Sequence, residues 1–308
     1  MKSDFTRREA IKLAGCATAA AMAMPSLFAF NSETIMKRQI PSSGEMLPIV
    51  GLGTWQTFDV GSNKTEREPL KEVLKEMKSL GGAMIDSSPM YASSEQVVGD
   101  LTTDLGISDH FFYATKVWTT GRREGIEQMN ASMAKMQRTK MDLMQIHNLV
   151  DWETHIKTLR DWKEEGKISY FGFTHYTNSS HETLAKLIKQ ERPDFVQFNY
   201  SINERHAEKN LLNVAQDHGA AVIINRPYDG GNLFRKVKGK ELPDWSTDLD
   251  ITSWGQYFLK YILSHNAVNC VIPGTSKAKH VIDNMGAGYG RLPDRSQRKK
   301  MLDYLSML

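Results

Sequence analysis

From residue 35 onward, short apolar runs alternate with amphipathic stretches, the pattern of parallel strands joined by crossover helices. The apolar runs fall at 49–52, 83–85, 112–115, 143–146, 170–173, 195–198, 221–224 and 269–272. Helical patterns lie between them at 68–80, 125–136, 155–164, 182–189, 208–218 and 253–264. Strands and helices alternating this way over about 250 residues predict an α/β fold, a (β/α)8 TIM barrel, in which each helix covers the sheet between consecutive parallel strands. A doubly wound open sheet would carry a glycine-rich fingerprint after its first strand, and Gly51-Leu52-Gly53 lacks the third glycine at the required offset. Ahead of the barrel, segments 34–39 and 45–47, joined through Pro41-Ser42-Ser43-Gly44, predict a β-hairpin. The stretch 228–250 has little periodicity and many Gly, Lys and Asp residues, so a functional or mobile loop is expected there.

Charge narrows the partners. Lys and Arg number 39 against 36 Asp and Glu, a net charge of +3, with no basic block beyond short clusters such as 295–300. A nucleic-acid surface needs clustered cations to track phosphates, so none is expected. The two cysteines, Cys16 and Cys270, form no CxxC or Cys/His pairing, which indicates neither a disulfide framework nor a zinc site. Cys270, inside the apolar run 268–272, reads as a small buried hydrophobe.

The first thirty residues read differently from the rest. Thr6-Arg7-Arg8 is followed by Ile11-Lys12 and an Ala- and Met-rich body from 13 to 30, with no polar face to set in water. This resembles a twin-arginine export signal. The expected organisation is therefore a signal peptide at 1–30 and one catalytic barrel domain at 31–308, with the twin-arginine machinery as export partner and the periplasm as destination. Cleavage points present themselves after the small-x-small site ending at Ala23 and at Leu27-Phe28-Ala29. Leu13-Ala14-Gly15-Cys16 resembles a lipoprotein box, but it follows Arg8 too closely for a usual apolar region. No later run approaches the roughly eighteen apolar residues of a membrane span, so a soluble mature protein is expected.

In such a barrel, chemistry sits at the C-terminal ends of strands. Asp86, Lys116 and His147 end the second, third and fourth strand segments, and Tyr91 follows in the loop after Asp86. Singly, these residues could be a turn cap, a solvated lysine, a core histidine and a packing ring. Four ionisable groups converging on one barrel mouth are better explained as a site. A metal-dependent hydrolase would need more His and carboxylate ligands at strand ends than His147 and Asp86 supply.

Gly51-Leu52-Gly53-Thr54-Trp55, Asp86-Ser87-Ser88-Pro89-Met90-Tyr91 with Glu95 and Gly99, Ala114-Thr115-Lys116 and Gln145-Ile146-His147 occur in the order seen in aldo-keto reductases, and the chain resembles that family from about 48 to 284. The resemblance implies that Asp86, Tyr91, Lys116 and His147 are the family's catalytic tetrad. Hydride transfer to a carbonyl makes an alkoxide, which needs a proton as its charge develops. Tyr91 would supply it, with a cationic Lys116 drawing the phenol from its ordinary pKa of about 10 towards working pH. Asp86 would hold Lys116, and His147 would orient and polarise the substrate oxygen.

The same resemblance implies a cofactor side. Thr174 and His175 stand where the family commonly has Ser and Asn on the nicotinamide amide, and Gln197 matches the family glutamine. Asn225 falls where many members place an aromatic ring, and Arg226-Pro227-Tyr228 resembles the segment that passes the pyrophosphate; an ordinary rim ion pair is the alternative for Arg226. Ile272-Pro273-Gly274-Thr275-Ser276, with Asp283 and Asn284 beyond, resembles the adenosine-phosphate segment, suited to an anion by its hydroxyls, backbone N–H groups and following helix. Gly274 replaces a Lys of some members and His280 an Arg of many, while Lys277 and Lys279 lie close by. Gly53, Thr54, Trp55 and Asp86 complete the implied contacts.

The expected function is NAD(P)H-dependent reduction of an aldehyde or ketone to an alcohol, with NADP(H) favoured and NAD(H) possible. The alternative is a nicotinamide-binding sensor or assembly subunit with little turnover. Trp55, Trp118, Asn148 and Tyr176 are candidates for the pocket wall, and the loop 230–250 is expected to close over the cofactor.

Overall fold

The computed structural model describes residues 34–308. The expected export signal, both cleavage points, Cys16 and the boundary after residue 30 lie outside the described residues.

The hairpin forms from β1 (Lys37–Gln39) and β2 (Met46–Pro48), antiparallel, with Lys37 opposite Pro48 and Gln39 opposite Met46. Gly44, at φ 83°, supplies the left-handed residue of the turn. β1 starts later than the apolar pattern suggests because Met36 N bonds instead to Gly288 O, at 2.8 Å.

Eight parallel strands follow in one sheet, in chain order: β3 (Leu52–Gly53), β4 (Met84–Asp86), β5 (Phe112–Val117), β6 (Met141–His147), β7 (Ile168–Thr174), β8 (Phe195–Asn199), β9 (Ala221–Asn225) and β10 (Val268–Val271). The sheet closes on itself through bridges Val50 to Val271 and Gly53 to Gly274, with Gly51 N donating to Val271 O at 2.8 Å. The seam is tight: a Cβ on Gly53 would stand 2.7 Å from Ile272 O, so glycine is required there. Each apolar run of the sequence is thus a barrel strand. Several strands extend further, to His147, Thr174, Asn199 and Asn225, because polar residues at their ends still bond in the ladder.

Helices α1 (Lys64–Ser79), α2 (Ser94–Asp104), α3 (Arg122–Lys135), α4 (Trp152–Glu164), α5 (His181–Glu191), α6 (Leu211–Asp217), α7 (Asn232–Lys236), α8 (Trp254–Leu263), α9 (Ala278–Gly286) and α10 (Arg295–Met307) follow the strands. α1 shows why the pattern was readable: Leu70, Val73, Leu74 and Met77 are buried at helical spacing, and the Asn63 side chain caps Thr65 N and Glu66 N. α6 is shorter than its pattern because Glu208 belongs to a preceding 3₁₀ turn, His206–Lys209.

The floor of the barrel is apolar. Ile40 and Leu47 of the hairpin, both buried, pack against Met84, Phe112, Tyr170, Phe195, Ala221 and Cys270 from the early parts of the strands. Cys270 is the buried hydrophobe expected, and burial pushes its thiol up, away from reactivity. Among the described residues, no helix is long and apolar enough to cross a membrane.

The stretch 228–250, expected as a functional or mobile loop, carries short helical structure of its own. It holds α7 and a 3₁₀ turn, Asp244–Leu249, and buries Leu233, Val237 and Leu249. Phe234 lies 4.7 Å from Tyr228 and 5.7 Å from Phe258 between ring centroids, and Trp254 Nε1 donates to Lys240 O at 2.9 Å. The buried Lys260 of α8 donates to Leu249 O at 2.6 Å and Tyr289 O at 2.9 Å. Tertiary contacts to α8, rather than periodicity, order this segment.

Candidate active site

Above the floor, the barrel interior turns polar because alternate residues of each strand face inward. Asp86 ends β4, Lys116 lies near the end of β5 and His147 ends β6; all three are buried. Lys116 Nζ donates to Asp86 Oδ2 at 2.7 Å and to Ser87 O at 2.5 Å. The ammonium stands 4.9 Å from the centroid of the Tyr91 ring, which meets the His147 imidazole edge-on at 5.9 Å. The four sequence-predicted catalytic residues therefore form one cluster.

Asp86 is held from both sides. Its Oδ1 accepts from Gln145 Nε2 at 3.1 Å and from Gln197 Nε2 at 2.8 Å. Gln145 lies two residues before His147 on β6, so period-two alternation would have found it on the same face. Thr54, fully buried, sets Oγ1 3.0 Å from both Asp86 O and Ser87 Oγ, which makes it a brace for the Asp86 backbone. Glu95 and Gly99 lie on α2; Glu95 Oε1 accepts from Thr115 Oγ1 at 2.5 Å, and burial raises its carboxyl above the usual range.

The electrostatics correct one expectation. Burial pushes the Tyr91 phenol above its ordinary value, and this outweighs the pull of Lys116 in the other direction. Tyr91 consequently keeps its proton. Burial disfavours the charge on Lys116, but Asp86 and Tyr91 more than compensate and hold it above its ordinary value. His147 is lowered to about 2, first by burial and then by Lys116 and His175, so it is neutral at any working pH.

The ring of His147 is oriented by its neighbour. Ser88 Oγ accepts from Met90 N at 3.3 Å and lies 2.9 Å from His147 Nδ1. The hydroxyl keeps a second lone pair as well as its proton, so this contact orients the imidazole ring with the proton on either nitrogen. No motif in the sequence singled out Ser88 for this role.

A depressed His147 also has a thermodynamic consequence. Its folded value of about 2 lies below the unfolded value of about 6.5, so the unfolded chain binds an extra proton between them and stability falls as pH drops through that window. The melting temperature should therefore fall more steeply between about pH 6 and about pH 4 in the wild type than in His147→Gln. Parallel slopes in the two proteins would remove His147 as the cause.

The cofactor-side residues divide by place. Thr174 and Gln197 are buried beside Asp86, with Thr174 Oγ1 donating to Gln197 Oε1 at 2.9 Å. Asn225 Nδ2 donates to His175 O at 3.1 Å and to Gln197 Oε1 at 3.3 Å. The Oδ1 atoms of Asn225 and Asn148 are buried acceptors without a donor among the described residues. Arg226 lies over the Tyr176 ring, 5.8 Å from its centroid, rather than in the rim ion pair that was the alternative; Pro227 beside it is buried. Tyr228 OH donates to Asn284 Oδ1 at 2.5 Å, and Asp283 Oδ2 accepts from Ser253 Oγ at 2.8 Å, tying α9 to α8. Gly274 is at the seam, Thr275 Oγ1 accepts from Lys277 N at 3.1 Å, Ser276 is half-buried, and His280 is exposed.

The rim carries exposed rings: Trp55 at 53%, Trp118 at 41% and Tyr176 at 47%. Backbone strain gathers here too. Gln56, Ala92, Asn148, Leu149, Arg226 and Asp229 all take positive φ, between 46° and 59°, in loops that follow barrel strands. Among the described residues, no group of three or more His, Cys, Asp or Glu is arranged to hold a metal ion.

Comparison with known proteins agrees with this geometry. The model of the aldo/keto reductase family matches residues 49–299. The methylglyoxal reductase YeaE of Escherichia coli is 26% identical over 258 residues, covering 81% of this chain and 89% of that protein. An aldo/keto reductase from Klebsiella pneumoniae, crystallised with NADP and acetate, superposes with a TM-score of 0.72 at 23% identity, over 85% of this chain and 92% of that one. The holo form of an aldo-keto reductase from Bacillus halodurans gives 0.71 at 21% identity, over 88% and 96%. With the family model covering nearly the whole barrel, the chain belongs to the aldo/keto reductase family.

Proposed function

We propose that this protein reduces an aldehyde or ketone to an alcohol, using NADP(H) in preference to NAD(H). The observation that carries the reading is the buried Asp86–Lys116 pair set beneath a neutral Tyr91, with neutral His147 against the tyrosine ring. The residues fit a nicotinamide. Buried orphan acceptors on Asn225 and Asn148 call for N–H donors, which a primary carboxamide has. Lys277 and Lys279 near Thr275 and Ser276 suit a phosphate, and the Klebsiella relative was crystallised with NADP.

Bound there, the nicotinamide supplies the hydride for the carbonyl carbon. In the tautomer with its proton on Nε2, His147 donates a hydrogen bond to the carbonyl oxygen and polarises it without carrying charge. Tyr91 keeps its proton until negative charge develops on that oxygen, then gives it up. The Lys116 ammonium stabilises the phenolate left behind, and Asp86, fixed by Gln145 and Gln197, keeps the ammonium in place. No observation favours a sensor without turnover.

The test is fluorescence titration of the protein with NADPH and NADH, followed by NADPH oxidation with a panel of small aldehydes and ketones. Binding with turnover of at least one carbonyl is expected. Tight binding with no turnover on any of them would move the reading to a sensor or subunit.

We also propose that residues 1–30 direct twin-arginine export to the periplasm, supported by Thr6-Arg7-Arg8 and the apolar body that follows. Changing Arg7 and Arg8 to lysine should shift the protein from the periplasmic to the cytoplasmic fraction. An unchanged distribution would overturn the export reading.

A further inference from the structure

Ser88 stands directly before a proline, and this decides what its hydroxyl meets. Pro89 has no N–H and biases Ser88 towards extended backbone, so the first amide able to reach back is that of Met90. Met90 N donates to Ser88 Oγ at 3.3 Å, and Tyr91 N donates to Ser88 O at 3.0 Å. The turn that leads into Tyr91 is tied through both bonds to one residue.

The same hydroxyl, fully buried, lies 2.9 Å from Nδ1 of His147 at the end of β6. One oxygen thus joins the Tyr91 turn to the imidazole that meets the Tyr91 ring edge-on. When an imidazole turns over about its Cβ–Cγ bond, Nδ1 changes places with Cδ2 and Nε2 with Cε1. The overturned ring of His147 would set a C–H against Ser88 and cost the hydroxyl its imidazole partner. Ser88 therefore selects one orientation of the ring, whichever nitrogen holds the proton. In that orientation Nε2 takes the opposite edge, where no hydrogen-bonding partner among the described residues meets it.

We propose that Ser88 is a positioning residue: its hydroxyl holds the His147 ring so that Nε2, and not a C–H, faces the substrate oxygen together with the phenol of Tyr91. The proposal rests on the reductase reading above and adds to it a residue outside the four catalytic side chains.

The test is a double-mutant cycle on the full chain, with Ser88→Ala, His147→Ala and the double variant. NADPH oxidation with a carbonyl that the wild type turns over gives kcat and KM, fluorescence titration gives the Kd for NADPH, and melting shows that each variant is folded. Ser88→Ala should lower kcat and kcat/KM together by about tenfold, the scale of one lost buried hydrogen bond, while KM and the Kd for NADPH stay within about twofold. In the His147→Ala background the same change should lower kcat by less than about twofold. An unchanged kcat in Ser88→Ala overturns the proposal. So does a loss of equal size without His147, which would make the serine a structural part of the turn. If Ser88→Ala fails to fold, Ser88→Cys, which keeps a side chain there and weakens the hydrogen bond, goes through the same cycle, and wild-type kcat in that variant is equally fatal. A wild type that binds NADPH and turns over no carbonyl overturns the reductase reading itself, an outcome distinct from equal turnover with and without the Ser88 hydroxyl.

Discussion

Replacing Tyr91 with phenylalanine is expected to lower kcat for carbonyl reduction by roughly 10²- to 10⁴-fold, the range over which a positioned acid contributes. The phenyl ring retains the edge-on packing against His147 and the place 4.9 Å from Lys116, so the pocket should keep its shape. Only the proton donor is lost. Because that group acts in the transition state and not in binding, kcat and kcat/KM should fall together while the Kd for NADPH stays within about twofold. Steady-state kinetics paired with fluorescence titration would separate the two effects. A fall of less than about tenfold would assign the proton to another group.

Lys116→Met should act mainly on the fold. Lys116 is fully buried, and its loss leaves the equally sequestered Asp86 carboxylate without a countercharge. Breaking a buried pair from one side costs about 3–5 kcal/mol. In a domain of this size each kcal/mol shifts Tm by about 2–4 °C, so calorimetry should show a drop of about 10 °C. Adding Asp86→Asn should recover part of the loss, since the stranded charge is then gone while the amide can still bond to Gln145 and Gln197. If the single variant melts within about 2 °C of wild type, the pair is not the structural liability that its burial implies.

The barrel was legible because each strand needs an apolar run to line the floor, and those runs stand out in the sequence. α2 was not, because Ser94, Glu95, Gly99 and Thr102 share its buried face with Val97, Val98 and Leu101 and break up the hydrophobic stripe. Gly99 allows that face to press on the end of α3: a Cβ there would come within 2.2 Å of Lys135 O. α10 buries only Met301 and Leu305, too few to declare a period. The order of 228–250 arises from contacts such as Trp254 to Lys240, which exist only once α8 is in place.

At the site, the tetrad could be read because its members fall at strand ends. What they do to one another could not. Burial decides the ionisation of Tyr91, and burial is a property of the assembled barrel; the expected pull of Lys116 is present but smaller. The partners of Gln197 depend on rotamers that bring β4, β7, β8 and β9 together, and no spacing in the sequence specifies them.

The hairpin under the barrel has a consequence for traffic. With Ile40 and Leu47 stoppering one end among Phe112, Tyr170 and Phe195, the described residues leave the opposite end, where Asp86 and His147 lie, as the doorway. Two ligands that must meet face to face inside share that doorway, so the one seated deeper has to arrive first and depart last. On the proposed reductase reading, queueing follows from this architecture: however fast a proton left Tyr91, the deeper guest would wait for the shallower one to clear the door.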